Sequence, residues 1–322
     1  MAQPDRDFPS SPARHHDVLL GLSYRLLGSV SDAEDAVQEC YERWYRLTPA
    51  QRADIISPRA WLTTTASRIC LDVLKSARAR RERYVGEWLP EPVSSDARWT
   101  SLSPTSVGGD PEDRVTMDES ISMALLVLLE EMTPAERVAL ILHDVFDYRF
   151  TEIAKIVGRS PDACRQLAST ARRRARGARR ATIDRDHHSA AVRAFHLAWE
   201  SGSVDALVAT LDPNVRGITD GGGRVSAATQ PLIGAGAVAS LFSSTLERQP
   251  GLEIRHAVVN GTAGLVASAH RETLAVVSFA ARAHRISAVW ALRNPDKLTR
   301  WPYAPAGTGA GAVETASLGL SA

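Results

Sequence analysis

The stretch from residue 150 to residue 174 constrains the fold more than any other part of the chain, because it suits two short helices joined by a tight turn. Residues 151–157 have the apolar spacing of a short amphipathic helix. Gly158 can adopt the left-handed backbone of such a turn, and Ser160 with Pro161 supplies an N-cap followed by proline at the first helical position. The pattern predicts a helix-turn-helix.

The second helix of this motif has two different faces. One face carries small side chains at Ala163, Ala168 and Ala171, which allow two helices to cross closely. On the other face, arginine and glutamine suit the edges of guanine and adenine, while further arginines reach phosphates. We therefore predict that DNA is contacted by Arg165, Gln166, Ser169, Arg172 and Arg173. An exposed basic helix without a nucleic-acid partner is the alternative.

Charge is segregated along the chain, although the formal net charge of the whole is only +1. Residues 31–42 contain five acids and no base. Residues 59–83 contain seven bases and two acids, and residues 149–185 contain eleven bases and three acids. This distribution suggests contact with nucleic acid at two places and with a different partner at a third. Solvated helix faces are the alternative explanation.

Residues 1–86 are predicted to form an all-α, N-terminal helical domain. Ser31 and Glu34 have the spacing of a capping box, which predicts the start of a helix. Ser57 and Pro58 supply an N-cap and a first-turn proline for a second, long helix. The intervening residues 47–56 are predicted to form a loop.

Both of these helices have a charged outer face. Apolar side chains at three- and four-residue steps occupy the inner face of each helix. The outer face of the first helix then carries Asp35, Gln38 and Glu39. The outer face of the second carries Arg68, Lys75 and Arg78.

Three further segments follow the N-terminal domain and precede a tail. Residues 87–112 lose the helical period and form a linker, whose Trp88-Leu89-Pro90-Glu91-Pro92 is expected to be extended and docked. Residues 113–182 are predicted to form the helix-turn-helix domain. In residues 186–302, helical patterns give way to alternating β-prone segments, which predicts an α+β C-terminal domain. Residues 303–322, rich in glycine and alanine, are predicted to be disordered.

Several classes of protein are excluded by composition. No apolar run approaches the roughly 18 residues of a membrane span, and the N-terminus lacks the pattern of a signal peptide, so we expect a cytoplasmic protein without a membrane partner. The three cysteines have no metal-ligand spacing, and we expect no disulfide, metal or other cofactor. The helical domains contain no nucleotide motif or catalytic constellation. We therefore expect that the protein is not an enzyme and that it has no catalytic residues.

Two parts of the chain resemble one family of transcription factors. Residues 21–39, GLSYRLLGSVSDAEDAVQE, and residues 58–62 with the basic run to Arg83 resemble region 2 of extracytoplasmic-function sigma factors. Residues 121–176 resemble region 4 of the same family. The resemblance implies a bacterial specificity subunit whose partners are core RNA polymerase and promoter DNA.

The same resemblance implies roles for the charged faces. Asp35, Gln38 and Glu39 would dock on the largest subunit of the polymerase. Arg68, Lys75 and Arg78 would face the minus-ten promoter element. The helix-turn-helix would bind the minus-thirty-five element.

The C-terminal domain carries a second resemblance, to sigma factors with a fused SnoaL-like domain. It rests on residues 84–92, 220–224 and 294–298. It implies a cone-shaped cavity closed by a curved sheet and helices, as in the nuclear-transport-factor-2-like superfamily, and a built-in regulator of the two helical domains. The interdomain contacts would come from Trp88, Leu89, Pro90, Asp220, Gly221, Gly222, Gly223, Arg224, Asn294, Pro295 and Asp296. A plain β-turn is the alternative for the three glycines.

Other functions are open from the sequence alone. The chain could be a DNA-binding regulator that works without polymerase. Its C-terminal domain could be an enzyme, with His256, His270 or His284 on candidate strands as a base. It could also bind an unknown small ligand in its cavity without any chemistry.

Overall fold

The structure is a computed structural model that describes residues 12–81, 84–97, 99, 119–179 and 185–305. The predicted disordered tail therefore lies almost wholly outside the described residues, as does most of the second half of the linker. The predicted domain boundaries remain predictions.

The N-terminal helical domain consists of helices α1 (His16–Leu27), α2 (Val30–Tyr45), α3 (Pro49–Ala53) and α4 (Pro58–Arg81). Two details of the sequence prediction are wrong. The N-cap of α2 is Ser29, whose hydroxyl accepts from the Asp32 N–H, so the helix begins before Ser31. Helix α3 occupies the predicted loop because Thr48 and Gln51 form a capping box around a first-turn proline.

The helix-turn-helix domain contains α5 (Met123–Glu130), α6 (Pro134–Leu140), one π-helical turn (Ile141–Val145), α7 (Phe150–Val157) and α8 (Pro161–Arg179). Gly158 ends α7 with a φ of 72°, and the Ser160 hydroxyl accepts from the Ala163 N–H at the start of α8. The predicted helix-turn-helix is confirmed.

The C-terminal domain begins with α9 (Arg185–Glu200) and α10 (Val204–Thr210), and α11 (Ala235–Arg248) follows two strands. Its strands are β1 (Leu211–Asp220), β2 (Leu232–Ile233), β3 (Glu253–Val259), β4 (Thr262–Ala269), β5 (Glu272–Arg282) and β6 (Arg285–Leu292). The sheet order is β2-β1-β6-β5-β4-β3, and all pairs are antiparallel except β1 with β6. The predicted α+β fold of this domain is confirmed.

The two faces of this sheet contact different parts of the molecule. Helices α9 and α11 cover one face around an aromatic core that includes Phe195, Phe242 and Phe279. The other face packs its Val276 and Trp290 in one cluster with Leu89 of the linker and Met123 of α5. The C-terminal domain is therefore in direct contact with both other parts of the chain.

The two helical domains also pack against each other. Their buried apolar side chains form one continuous core that runs from α1 to α8. At its edge the Arg68 guanidinium of α4 donates to the Lys155 carbonyl of α7 at 2.9 Å. The described residues thus form a closed arrangement, in which the helix-turn-helix domain rests on the N-terminal domain.

Candidate functional sites

Asp220, the last residue of β1, joins the C-terminal domain to the linker. Its carboxylate is fully buried and accepts four hydrogen bonds. Oδ1 accepts from the Tyr84 hydroxyl at 2.6 Å and from the Gly222 N–H at 3.0 Å. Oδ2 accepts from the Leu89 N–H at 3.0 Å and from the Lys297 ammonium at 2.7 Å. A buried carboxylate with these partners is charge-neutralised and holds the linker by its backbone.

Lys297 completes this site from the other side. Its Nζ also donates to the Leu89 carbonyl at 2.6 Å and lies 4.2 Å from the centre of the Trp88 ring, within the range of a cation–π interaction. Asn294 donates from Nδ2 to the Tyr84 hydroxyl at 2.8 Å. We call Tyr84, Trp88, Leu89, Asp220, Asn294 and Lys297 the linker clamp.

The three glycines after Asp220 allow the linker clamp to close. Gly222 has a φ of +60°, and a Cβ at this position would lie 2.3 Å from the Asn294 amide nitrogen. Gly223 has a φ of +68°, and a Cβ there would lie 3.1 Å from the Val85 side chain. Both positions need glycine for backbone conformation and for close approach. The segment is therefore more than a surface turn.

Four other residues of the predicted interdomain set lie outside the linker clamp: Pro90, Arg224, Pro295 and Asp296. Arg224 forms an exposed ion pair with Asp296 at 3.2 Å, inside the C-terminal domain rather than against the linker. Pro295 is exposed and begins the short 3-10 turn that presents Lys297. Pro90 is buried with Leu89 in the docked linker.

Asn260 makes a second interdomain contact, which the sequence analysis did not single out. It lies in the β3–β4 turn with a φ of 51° and is buried. Its amide donates to the Tyr24 hydroxyl of α1 at 2.8 Å and to the Ile121 carbonyl at 2.9 Å, and its Oδ1 accepts from the Val93 N–H at 3.3 Å. One side chain therefore bonds both helical domains and the linker. The dipeptide Asn260-Gly261 predicts a hairpin turn. The neighbouring sequence does not predict which residues the Asn260 side chain bonds.

The linker also caps a helix of the N-terminal domain. The buried Glu91 carboxylate accepts from the Val30 N–H at 2.8 Å, at the start of α2. Burial raises the pKa of Glu91, whereas the Val30 hydrogen bond and the charge of Arg300 oppose that rise. Next to it, the Trp301 indole donates to the Pro92 carbonyl at 3.0 Å. The chain after β6 thus holds the linker from Trp88 to Pro92.

The predicted polymerase-binding residues lie on the outer face of α2. Asp35, Gln38 and Glu39 are all exposed. Glu39 pairs with Arg43 one turn later, at 2.5 Å. On the same helix, Glu34 pairs with Arg300 of the C-terminal domain at 2.6 Å. The acidic face is accessible, and its edge contacts the C-terminal domain.

The predicted minus-ten residues are not all available in the closed arrangement. Arg68 is bonded to the helix-turn-helix domain, as described above. Lys75 is exposed and pairs with Asp72 at 3.0 Å. Arg78 belongs to α4, but its side chain lies outside the described residues.

Four of the five predicted DNA contacts share the exposed face of α8. They are Arg165, Gln166, Ser169 and Arg173. Arg172 departs from the prediction of an outward position, because its Nε lies 3.0 Å and 2.9 Å from the two oxygens of the buried Asp144 carboxylate. Arg172 thus ties α8 to the π-helical turn.

The histidines considered as catalytic bases do not meet in a cavity. His256 lies on β3, and its Nε2 is 2.9 Å from Nδ1 of His196. His270 and His284 lie in turns, with φ of 52° and 67°, rather than on strands. Within the described residues, the cavity between α11 and the sheet of the C-terminal domain is lined by neither histidines nor carboxylates.

Sequence comparison finds two domain families and close relatives. The Sigma-70 region 2 model matches residues 13–80, and the model of Sigma-70, region 4 matches residues 122–174. The ECF RNA polymerase sigma factor SigJ of Mycobacterium tuberculosis is 38% identical over 297 residues, 88% of this chain and 91% of that protein. The probable ECF RNA polymerase sigma factor SigI of that species is 39% identical over 207 residues, 64% of this chain and 67% of that protein.

A solved structure agrees with these relatives. The crystal structure of Mycobacterium tuberculosis SigJ matches with a TM-score of 0.70 and 31% identity, over 91% of this chain and 100% of that one. Region 2 and region 4 domains in this order, joined by a linker, define a sigma factor of the sigma-70 class. The chain belongs to the extracytoplasmic-function RNA polymerase sigma factors.

None of the helices that the structure describes has the length and apolar character needed to cross a membrane.

Proposed function

We propose that this sigma factor binds core RNA polymerase through the acidic face of α2 and contacts the two promoter elements through α4 and α8. The accessible acidic face and the exposed face of α8 support these roles. The interpretation as a polymerase-independent regulator loses its support, because the region 2 domain accompanies the helix-turn-helix. The protein acts in the cytoplasm, where polymerase and promoter DNA are found.

The C-terminal domain regulates initiation by holding the linker and the two helical domains in the closed arrangement. Promoter elements at minus ten and minus thirty-five lie roughly 80 Å apart along B-form DNA. Two small domains that share one core span only roughly 40 Å. The contact between Arg68 and Lys155 must therefore open before both elements can be bound. The linker clamp at Asp220 is the observation that carries this proposal.

We infer that the C-terminal domain acts through contacts rather than by catalysis. Its buried Asp220 and Asn260 side chains bond the linker and the helical domains, which supports a role in holding them. Strand opening is then driven by binding.

The polymerase contact is tested by reversing the acidic face. We expect Asp35→Lys with Glu39→Lys to abolish binding to core polymerase, measured by pull-down. The reason is that the two substitutions replace charges complementary to the polymerase surface by charges of the same sign as that surface. Asp205→Lys with Glu247→Lys is the matched control, since it changes net charge equally at exposed sites of the C-terminal domain. Circular dichroism checks the fold of both variants. Normal holoenzyme formation by a folded Asp35→Lys, Glu39→Lys variant would rule out this contact.

A further inference from the structure

The C-terminal domain encloses a cavity of about 460 Å³ between α11 and the sheet. That volume lies within the usual range of small-molecule sites. Its wall is mainly apolar, with small side chains on the sheet and large ones on the helices. The apolar lining includes Trp199, Leu241, Phe242, Ala267, Ala275 and Val277.

Two cationic side chains, Arg248 and Arg293, also line this cavity. The Arg248 guanidinium donates to the Ser244 carbonyl at 3.1 Å and to the Ser244 hydroxyl at 2.8 Å. The half-buried Arg293 guanidinium donates to the Ser226 carbonyl. These acceptors are neutral, and no carboxylate lines the cavity among the described residues.

The two guanidinium groups are therefore like charges at the border of an apolar space. Burial lowers the pKa of Arg293, and the charge of Arg248 lowers it further. A bound anion would offset that repulsion and would receive charge-assisted hydrogen bonds from both side chains. A neutral ligand would offset nothing, and a cationic ligand would add to the repulsion.

We propose that this cavity binds an elongated apolar molecule that ends in a carboxylate. The carboxylate lies between Arg248 and Arg293, and the apolar part lies against Phe242, Ala275 and Val277. Planar guanidinium groups suit the two oxygens of a carboxylate, whereas the remaining wall offers mainly apolar contacts. The proposal concerns binding by the isolated chain and does not depend on the polymerase.

The two arginines of the cavity differ in the other contacts that they make. The backbone N–H of Arg293 donates to the Asp220 carbonyl at 2.7 Å, next to the linker clamp, and its side chain holds the loop at Ser226. Arg248 is exposed, and its hydrogen bonds described above stay within α11. Arg248→Gln therefore removes one charge from the cavity with little risk to the fold.

The test is isothermal titration calorimetry of the full chain with decanoate, below its micelle concentration, and with the cation decyltrimethylammonium. We expect saturable decanoate binding that is at least tenfold tighter than binding of the cation. Arg248→Gln weakens decanoate binding by about tenfold or more, since one charge-assisted interaction is lost. Arg248→Lys retains part of the affinity. Arg216→Gln, at an exposed position of β1, leaves the affinity unchanged.

A second measurement places the ligand inside the cavity. Decanoate raises the thermal unfolding midpoint of the wild-type chain progressively as its concentration exceeds the dissociation constant, and this rise is smaller in Arg248→Gln at the same concentration. Ala275→Phe fills the cavity and abolishes binding. If that variant does not fold, the calorimetry of Arg248→Gln decides alone. Absence of decanoate binding, equal binding of the cation, or equal losses in Arg248→Gln and Arg216→Gln would each overturn the proposal.

Discussion

At the scale of single residues, the linker clamp depends on one buried charge pair. Asp220 is fully buried, and Lys297 is the cation that neutralises it. Removing one member of such a pair leaves an uncompensated charge in a medium of low polarity, which costs more than the pair itself contributes. The three neutral donors to Asp220 cannot replace that cation.

We expect Lys297→Met to weaken the hold of the C-terminal domain on the linker by about 3 kcal/mol. The measurement is hydrogen exchange at the Leu89 amide, which should accelerate on the order of 100-fold. Lys75→Met is the control, because Lys75 forms an exposed pair with Asp72 and such pairs contribute little. Unchanged protection of Leu89 in Lys297→Met would contradict the role of the pair.

His188 makes the stability of the C-terminal domain depend on pH. Burial lowers its pKa, although its Nε2 lies 3.0 Å from the Phe279 carbonyl. The unfolded chain, with a histidine pKa of about 6.5, therefore gains a proton before the folded chain does. Above about pH 6.5, His188 is neutral in both states and does not lower the free energy of unfolding. That free energy falls as the pH drops from there toward the lower pKa of His188 in the folded state.

Thermal unfolding midpoints between pH 7.5 and 5.5 test this dependence. We expect His188→Asn to reduce the loss of stability on acidification. His256, whose pKa is lowered by burial and by His196, retains part of the slope. His270→Asn, at an exposed turn, leaves the slope unchanged. A slope identical in wild type and His188→Asn would contradict the assignment to His188.

At the scale of helices and strands, local sequence signals predict the elements well and their partners poorly. The N-cap and proline at residues 160 and 161 place the start of α8 correctly, and a capping box at Thr133 starts α6 in the same way, because caps act within one turn. The five longer strands lie within residues 186–302, where alternating β-prone segments predict strands. Strand β2 has only two residues, which is too few to show the alternation of apolar and polar residues by which a strand is predicted.

The same limit applies to the functional sites. The resemblance led to Asp220, and the exposed residues of α2 and α8 follow from helical periodicity. Lys297 and Asn260 were missed because their partners lie more than 70 residues away in sequence. Arg172 was placed outward because its partner Asp144 lies on another element. Tertiary contacts of this kind leave no local pattern.

The exposed face of α8 carries the prediction that belongs to this scale. We expect Arg165→Ala or Gln166→Ala to change promoter preference at the minus-thirty-five element by roughly 1–3 kcal/mol per lost base contact. Arg174 lies further along α8 than Arg165 and Gln166 and pairs with Glu136 at 3.4 Å. Arg174→Ala should weaken DNA binding with little change in promoter preference. Binding to a panel of upstream-element sequences measures both. Equal losses on all sequences for all three variants would refute the assignment.

At the scale of the whole molecule, two groups of polar contacts made by the C-terminal domain serve different parts of the chain, beside its apolar contact with Leu89 and Met123 and the pair between Arg300 and Glu34. Asn260 bonds the first helical domain, the second and the linker, and so organises all three. Lys297 and Trp301, beyond the last strand, hold the linker alone. The tether between domains keeps the local concentration of these partners at about the millimolar level, so that even weak contacts are formed.

These two groups can be separated by truncation, and opposite effects on transcription are expected. A chain that ends at Arg185 loses the linker clamp and Asn260 together. We expect the loss of the contact that organises the two DNA-binding domains to outweigh the release of the closed arrangement, so its transcription should fall below that of the full chain. A chain that ends at Arg293 keeps Asn260 and all six strands but loses Lys297 and Trp301. Its hold on the linker is weakened, although Asp220 and Asn260 are retained, so its transcription should rise. A chain that ends at Pro305 keeps both groups and is the matched control. Multi-round transcription from one cognate promoter, at equal protein concentration, compares them. If the four chains give the same output, the C-terminal domain does not regulate initiation, and its contacts with the linker serve stability alone.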